Sequence, residues 1–136
     1  MARTEEGLSY TAKSIETAGG SALFIAADVC DYKSAVSAVR MATEAFGQLD
    51  ILVNNAGDIA PIGLLAVTDA VEWTRCINVN LVGSYNMARA ALEVFLGQRN
   101  GVVVNEFRRS TSRFGGVVCL LLCQGRGGNV DTGIAQ

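Results

Sequence analysis

Apolar positions recur at helical spacing in three long stretches of the chain and run without interruption in three short ones. Leu8, Thr11, Ala12 and Ile15 share one face of a helix over 4–18, which Gly19-Gly20 stops. The run Ala22 to Ala27 is then too short for a helix and predicts a buried strand ending at Asp28. Asp31 caps a second helix, with Ala35, Val36, Val39, Ala42 and Phe46 on its inner face and Gly47 as its stop. A second buried run, Ile51-Leu52-Val53, closes with Asn54-Asn55-Ala56-Gly57. Thr68-Asp69 open a third helix to about Leu96, with Glu72 in its first turn and Gly83, Met87, Ala90, Ala91 and Val94 facing inward. Gly97 to Gly101 break it, and Val102-Val103-Val104 form the third strand.

Helices alternating with continuous apolar strands predict an α/β domain, a parallel sheet covered on both faces. Ligands of such sheets bind at the carboxyl ends of the strands. Here those ends are Asp28, Asn54 to Gly57, and Asn105, each a polar or glycine hand-over from strand to loop.

Composition narrows the chemistry. No apolar run in the 136 residues approaches a membrane span; the longest, Val117 to Cys123, has seven residues. Eleven Lys+Arg against thirteen Asp+Glu leave a net charge of −2, which argues against nucleic acid as a partner. The absence of histidine excludes Ser-His-Asp and Cys-His nucleophiles and the commonest zinc ligand. Cys30, Cys76, Cys119 and Cys123 show no paired metal-site spacing, so no metal is expected. Without a secretory leader, the expected location is cytoplasmic.

Four motifs in order carry a family resemblance: Ala27-Asp28-Val29, the run Asp50 to Gly57, the run Ile77 to Gly83, and Gly101 to Asn105. With them, residues 1–105 resemble the short-chain dehydrogenase/reductase family. The resemblance implies a Rossmann-type doubly wound parallel sheet in three α/β/α layers. It also implies NAD(P)-dependent hydride transfer between an alcohol and a ketone on a small-molecule substrate. Asp28 and Val29 would then meet the adenine end of the cofactor, although Asp28 also reads as an ordinary cap or turn aspartate. Asn54, Ala56 and Gly57 would line its ribose; an Asn-Gly type turn explains part of that motif without a ligand. Asn80 would sit at a helix distortion and hold a water of the proton relay, or else face solvent as a plain helical asparagine. Arg3, just past where the family's second strand ends, tilts the cofactor toward NADP over NAD. The helix over 72–96 would build a homo-oligomer interface.

Two parts of the family pattern are missing. No glycine-rich pyrophosphate turn precedes residue 19, so residues 1–105 read as a partial domain without its first two strands. Those strands lie between the third and fourth in the doubly wound order, which predicts exposed strand edges, poor stability, or non-native pairing. After Asn105 the expected Ser-Ser and Tyr-x-x-x-Lys give way to Glu106-Phe107-Arg108-Arg109, and no tyrosine or lysine follows Tyr85. With the codons read one base late, Glu106/Phe107 and Phe107/Arg108 can encode serine, Leu120/Leu121 tyrosine and Gln124/Gly125 lysine. That order and spacing match the family, so 106–136 reads as a divergent, out-of-frame tail. The resulting expectation is an oxidoreductase of this family that is inactive as the isolated chain. The alternative is a non-catalytic fragment that at most associates with full-length subunits.

Overall fold

The computed structural model describes residue 1 and residues 4–106; the expectations for Arg3, Cys119, Cys123 and the tail from 107 onward lie outside the described residues. Helix α1 spans Glu5–Thr17, with Glu5 and Glu6 in the first turn, where carboxylates offset the helix dipole. The glycine stop is real: Gly19 adopts φ +85° just beyond the helix. Helix α2, Tyr32–Phe46, starts at Asp31, whose carboxylate accepts from the Lys33 and Ser34 amides, and stops at left-handed Gly47. Strand β1 is Ile51–Asn54 and strand β2 is Val102–Asn105. They pair in parallel, with Ile51 opposite Val102 and Asn54 opposite Asn105.

Between the strands the predicted single helix is three segments. Helix α3, Ala70–Ile77, is capped by the Asp69 carboxylate on the Val71 and Glu72 amides. It passes into a π-helical turn, Asn78–Gly83, which continues directly as helix α4, Ser84–Gln98. The interruption escapes a periodicity argument because backbone direction continues through it and only the hydrogen-bond spacing changes.

The core joins α2, β1 and α4 through Ala35, Val39, Leu52, Ala90, Ala91 and Phe95. Alanines at the α2–α4 contact let the two helices approach closely. Gly101 is held to glycine by this packing, because a Cβ there would overlap the Phe95 ring. The inner face of α2 is rotated from the expected one: Ala38 is buried, whereas Val36 and Phe46 are exposed.

One expectation for the sheet is corrected. Residues 22–27 form no strand; the segment has one isolated bridge at Ala26, and Leu23 and Phe24 are exposed. A strand exists through its ladder partners, and apolarity alone supplies none. Among the described residues, the small two-stranded sheet carries its packed helices on one face. Leu52 packs into the core, while Ile51, Val53, Val102 and Val104 are exposed on the opposite side. Both packed helices lie on one face, so the alternating pleat leaves the other open. Among the described residues no helix is long and apolar enough to cross a membrane, and no cluster of three His, Cys, Asp or Glu could hold a metal ion.

Candidate functional site

The carboxyl ends of β1 and β2 are tied to the start of α4 by one side chain. Asn54 is buried, and its Nδ2 donates to Asn105 Oδ1 at 3.0 Å and to the Ser84 carbonyl at 3.4 Å. The Glu106 amide donates to the Asn54 carbonyl at 3.0 Å, extending the ladder one residue past β2. Asn54 therefore spends its amide on architecture and holds the following turn, Asn55-Ala56-Gly57, which is exposed. A Cβ on Gly57 would meet only Asn80 Oδ1, at 3.5 Å, leaving one side of that backbone open to a ligand.

Asn80 lies inside the π-turn and is partly buried. Its Oδ1 accepts from the Asp58 amide at 2.8 Å, and its Nδ2 donates to the Asp58 carbonyl at 2.8 Å and to Cys76 Sγ at 3.1 Å. A primary amide satisfies both backbone groups of one residue as a strand partner would. Its own carbonyl accepts from the Ser84 hydroxyl at 2.9 Å. Asp58 is fixed further by its carboxylate, which takes the Arg75 Nε at 3.0 Å and the Ala60 amide at 3.1 Å.

Asp28 and Val29 approach from the other side of α4. The Asp28 carboxylate accepts from the Cys30 amide at 2.9 Å, an Asx turn with the side chain exposed. Asn86, buried within α4, donates from Nδ2 to the carbonyls of Val29 at 2.9 Å and Cys30 at 3.2 Å. Val29 rests on Gly83, where an added Cβ would come within 2.6 Å of Val29 Cγ2. The turn at 28–30 is thus pinned to the same helix start that Asn54 and Asn80 engage. Just beyond it, two hydrogen bonds from Ser34, hydroxyl and amide, hold the Asp31 carboxyl below the usual carboxylate value.

Val29, Asn54 and Asn80 thus meet the junction of the π-turn and α4, Gly57 lies against Asn80, and Asp28 and Ala56 adjoin them in the chain. Sequence reasoning passed over Asn86, Ser84 and Asp58. Asn86 had a readable signal: it is a polar residue between Gly83 and Ala90 on the inward face of a helix, where burial demands a partner. Asp58 and Ser84 act through backbone geometry and had none.

The family model described as short chain dehydrogenase matches residues 1–107. A Thermotoga maritima protein named as an uncharacterized oxidoreductase is 39% identical over 102 residues, covering 75% of this chain and 39% of that protein. The 3beta-hydroxysteroid dehydrogenase 1 of Eggerthella lenta is 38% identical over 105 residues, 74% of this chain and 39% of that protein. Among solved structures, a doubly substituted Serratia marcescens short-chain dehydrogenase/reductase superposes with TM-score 0.79 at 27% identity, over 90% of this chain and 50% of that one. An NAD+-bound xylitol dehydrogenase gives TM-score 0.82 at 20% identity, a likeness of fold, over 90% of this chain and 48% of the other. The chain thus spans well under half the length of these curated relatives and about half of these solved chains.

Proposed function

The chain belongs to the short-chain dehydrogenase family, and from that membership we propose that it is part of an NAD(P)-dependent oxidoreductase interconverting a small-molecule alcohol and ketone. The observation that carries the reading is the convergence of Asp28, Gly57 and Asn80 on one helix start at the carboxyl ends of the strands. The residues present fit the adenosine half of a dinucleotide. Asp28 offers an exposed carboxylate to an exocyclic amine, Val29 an apolar contact, and Ala56-Gly57 an open backbone edge for a ribose. Arg3 tilts the choice toward NADP, and the protein acts in the cytoplasm.

When bound, the nicotinamide supplies or accepts the hydride. The work of this chain is placement. Asn54 sets the turn at the strand ends, and Asn86 and Gly83 set the Asp28 turn. Asn80 fixes Asp58 with its side chain, and in this reading it also helps hold a water of the proton relay. The proton donor itself, a tyrosine with its lysine, is missing from 106–136 as written. The reading therefore takes that segment as translated out of frame and the isolated 136-residue chain as inactive. The family match ending at residue 107 supports this.

A second reading, a non-catalytic fragment that associates with full-length subunits, is favoured by the outward stripe Tyr85, Leu92 and Leu96 on α4. Two measurements test these readings. Titration of the chain with NADP+ and NAD+, followed by NMR at the Asp28 and Gly57 amides, should shift both and lose the effect in Asp28→Ala. Ketone reduction with NADPH should stay at background; turnover by the pure chain overturns the inactive assignment.

A further inference from the structure

Two consecutive peptide units in the turn after Asp28 are each held at both ends. The Val29 carbonyl accepts from Asn86 Nδ2 at 2.9 Å, and the amide of that same unit, on Cys30, donates to Asp28 Oδ1 at 2.9 Å. The next unit repeats the arrangement. Its carbonyl, on Cys30, accepts from Asn86 Nδ2 at 3.2 Å, and its amide, on Asp31, donates to the Asp28 carbonyl at 3.2 Å. In a trans peptide the C=O and N–H point in opposite directions. The one nitrogen of Asn86 therefore aims two N–H groups on the far side of the turn, and both of them meet Asp28.

Asn86 is a firm anchor for this. It is only 5% exposed, and Nδ2 has its two hydrogens on the two carbonyls. Val29 is seated besides on Gly83, too closely for a Cβ to fit between them. The Asp28 side chain, by contrast, is exposed; Oδ1 is committed to the Cys30 amide, and Oδ2 is the oxygen left for an outside donor. A carboxylate fixed before a ligand arrives needs no ordering on binding and does not swing toward a misplaced donor.

We propose that Asn86 is a positioning residue for purine recognition: by holding these two peptide units it fixes the Asp28 carboxylate for the exocyclic amine of an adenine. Preference for adenine over a purine lacking that amine is then set from inside α4, by a side chain that touches no ligand. The proposal rests on the assignment of Asp28 to the adenine end of a dinucleotide.

Amide NMR titrations of the full chain with AMP and with purine riboside monophosphate, which lacks the exocyclic amine, measure that preference. The parent chain should bind AMP about 10-fold more tightly, and Asp28→Ala should bind the two alike. Asn86→Leu, similar in size but without a donor, should reduce the preference to about 2-fold although Asp28 is still present. Phe95→Leu weakens the core away from the turn and should retain the full preference, so lost stability alone does not mimic the effect. Far-UV circular dichroism reports whether Asn86→Leu keeps its helices, and Asn86→Ala replaces it if it does not. A parent chain that fails to prefer AMP overturns the adenine assignment and the proposal with it. A preference that Asp28→Ala abolishes and Asn86→Leu leaves whole overturns the role of Asn86 alone. So does an equal loss of preference in Phe95→Leu.

Discussion

Asn80 holds Asp58 at both of its backbone groups, amide to Oδ1 and Nδ2 to carbonyl, each at 2.8 Å. A single side chain from the π-turn thereby fixes the loop leaving the candidate ribose turn. Asn80→Ala removes both bonds and takes from the partly buried Asp58 amide the side-chain oxygen it donates to. It should lower stability by about 1–3 kcal/mol. Urea denaturation measures the loss, and the Asp58 amide resonance should move more than those of α1.

Two glycines should respond oppositely to alanine. At Gly83 an added methyl meets Val29 at 2.6 Å, so Gly83→Ala should destabilise by about 1–3 kcal/mol and displace the Asp28 turn. Gly97, in the last turn of α4, has nothing within 4 Å of the same methyl. Gly97→Ala should stabilise by about 0.5–1 kcal/mol through the entropy of the unfolded chain. Equal shifts of denaturation midpoint for the two would contradict the packing described at Gly83.

Asp31 gives a pH dependence whose sign is fixed by its cause. The Ser34 hydroxyl and amide lower its folded value below 3.8, so its stabilising contribution is fully present above that value. As pH falls through the depressed folded value the contribution is lost. The variant Asp31→Asn keeps an amide cap that does not titrate. Its stability deficit against the parent chain should therefore be largest near neutrality and shrink in acid. Thermal melts at a series of pH values would reveal it.

The proposed frame change makes a prediction about the gene. Nucleotides across codons 104–125, read one base late from Glu106, should encode Ser-Ser and then Tyr-x-x-x-Lys. A late frame without these residues removes the out-of-frame assignment and leaves 106–136 a divergent tail.

What the sequence made legible follows the locality of the forces involved. Asp31 with Gly47 marks the ends of α2 within a turn or less, because caps are satisfied by neighbours. Ile51 to Val53 and Val102 to Val104 were readable as strands because each finds the other. Ala22 to Ala27 carries a comparable apolar signal and forms no ladder, since pairing depends on residues elsewhere in the chain. The candidate positions Asp28, Asn54 to Gly57 and Asn80 could be named from the sequence as expectations. The hydrogen bonds around them could not, because those of Asn80 to Asp58 and of Asn86 to Val29 span 22 and 57 residues.

One further side chain closes a loop of this kind. Gln98, at the end of α4, accepts the Leu49 amide on Oε1 at 3.1 Å and donates from Nε2 to the Leu49 carbonyl at 2.9 Å. The residue leading into β1 is thus paired by the final residue of a helix 49 positions later. Deuterium reaches the Leu49 nitrogen when the Gln98 side chain lets go of it. Its exchange rate therefore reports how firmly the end of α4 holds the segment entering β1, which is not itself helical.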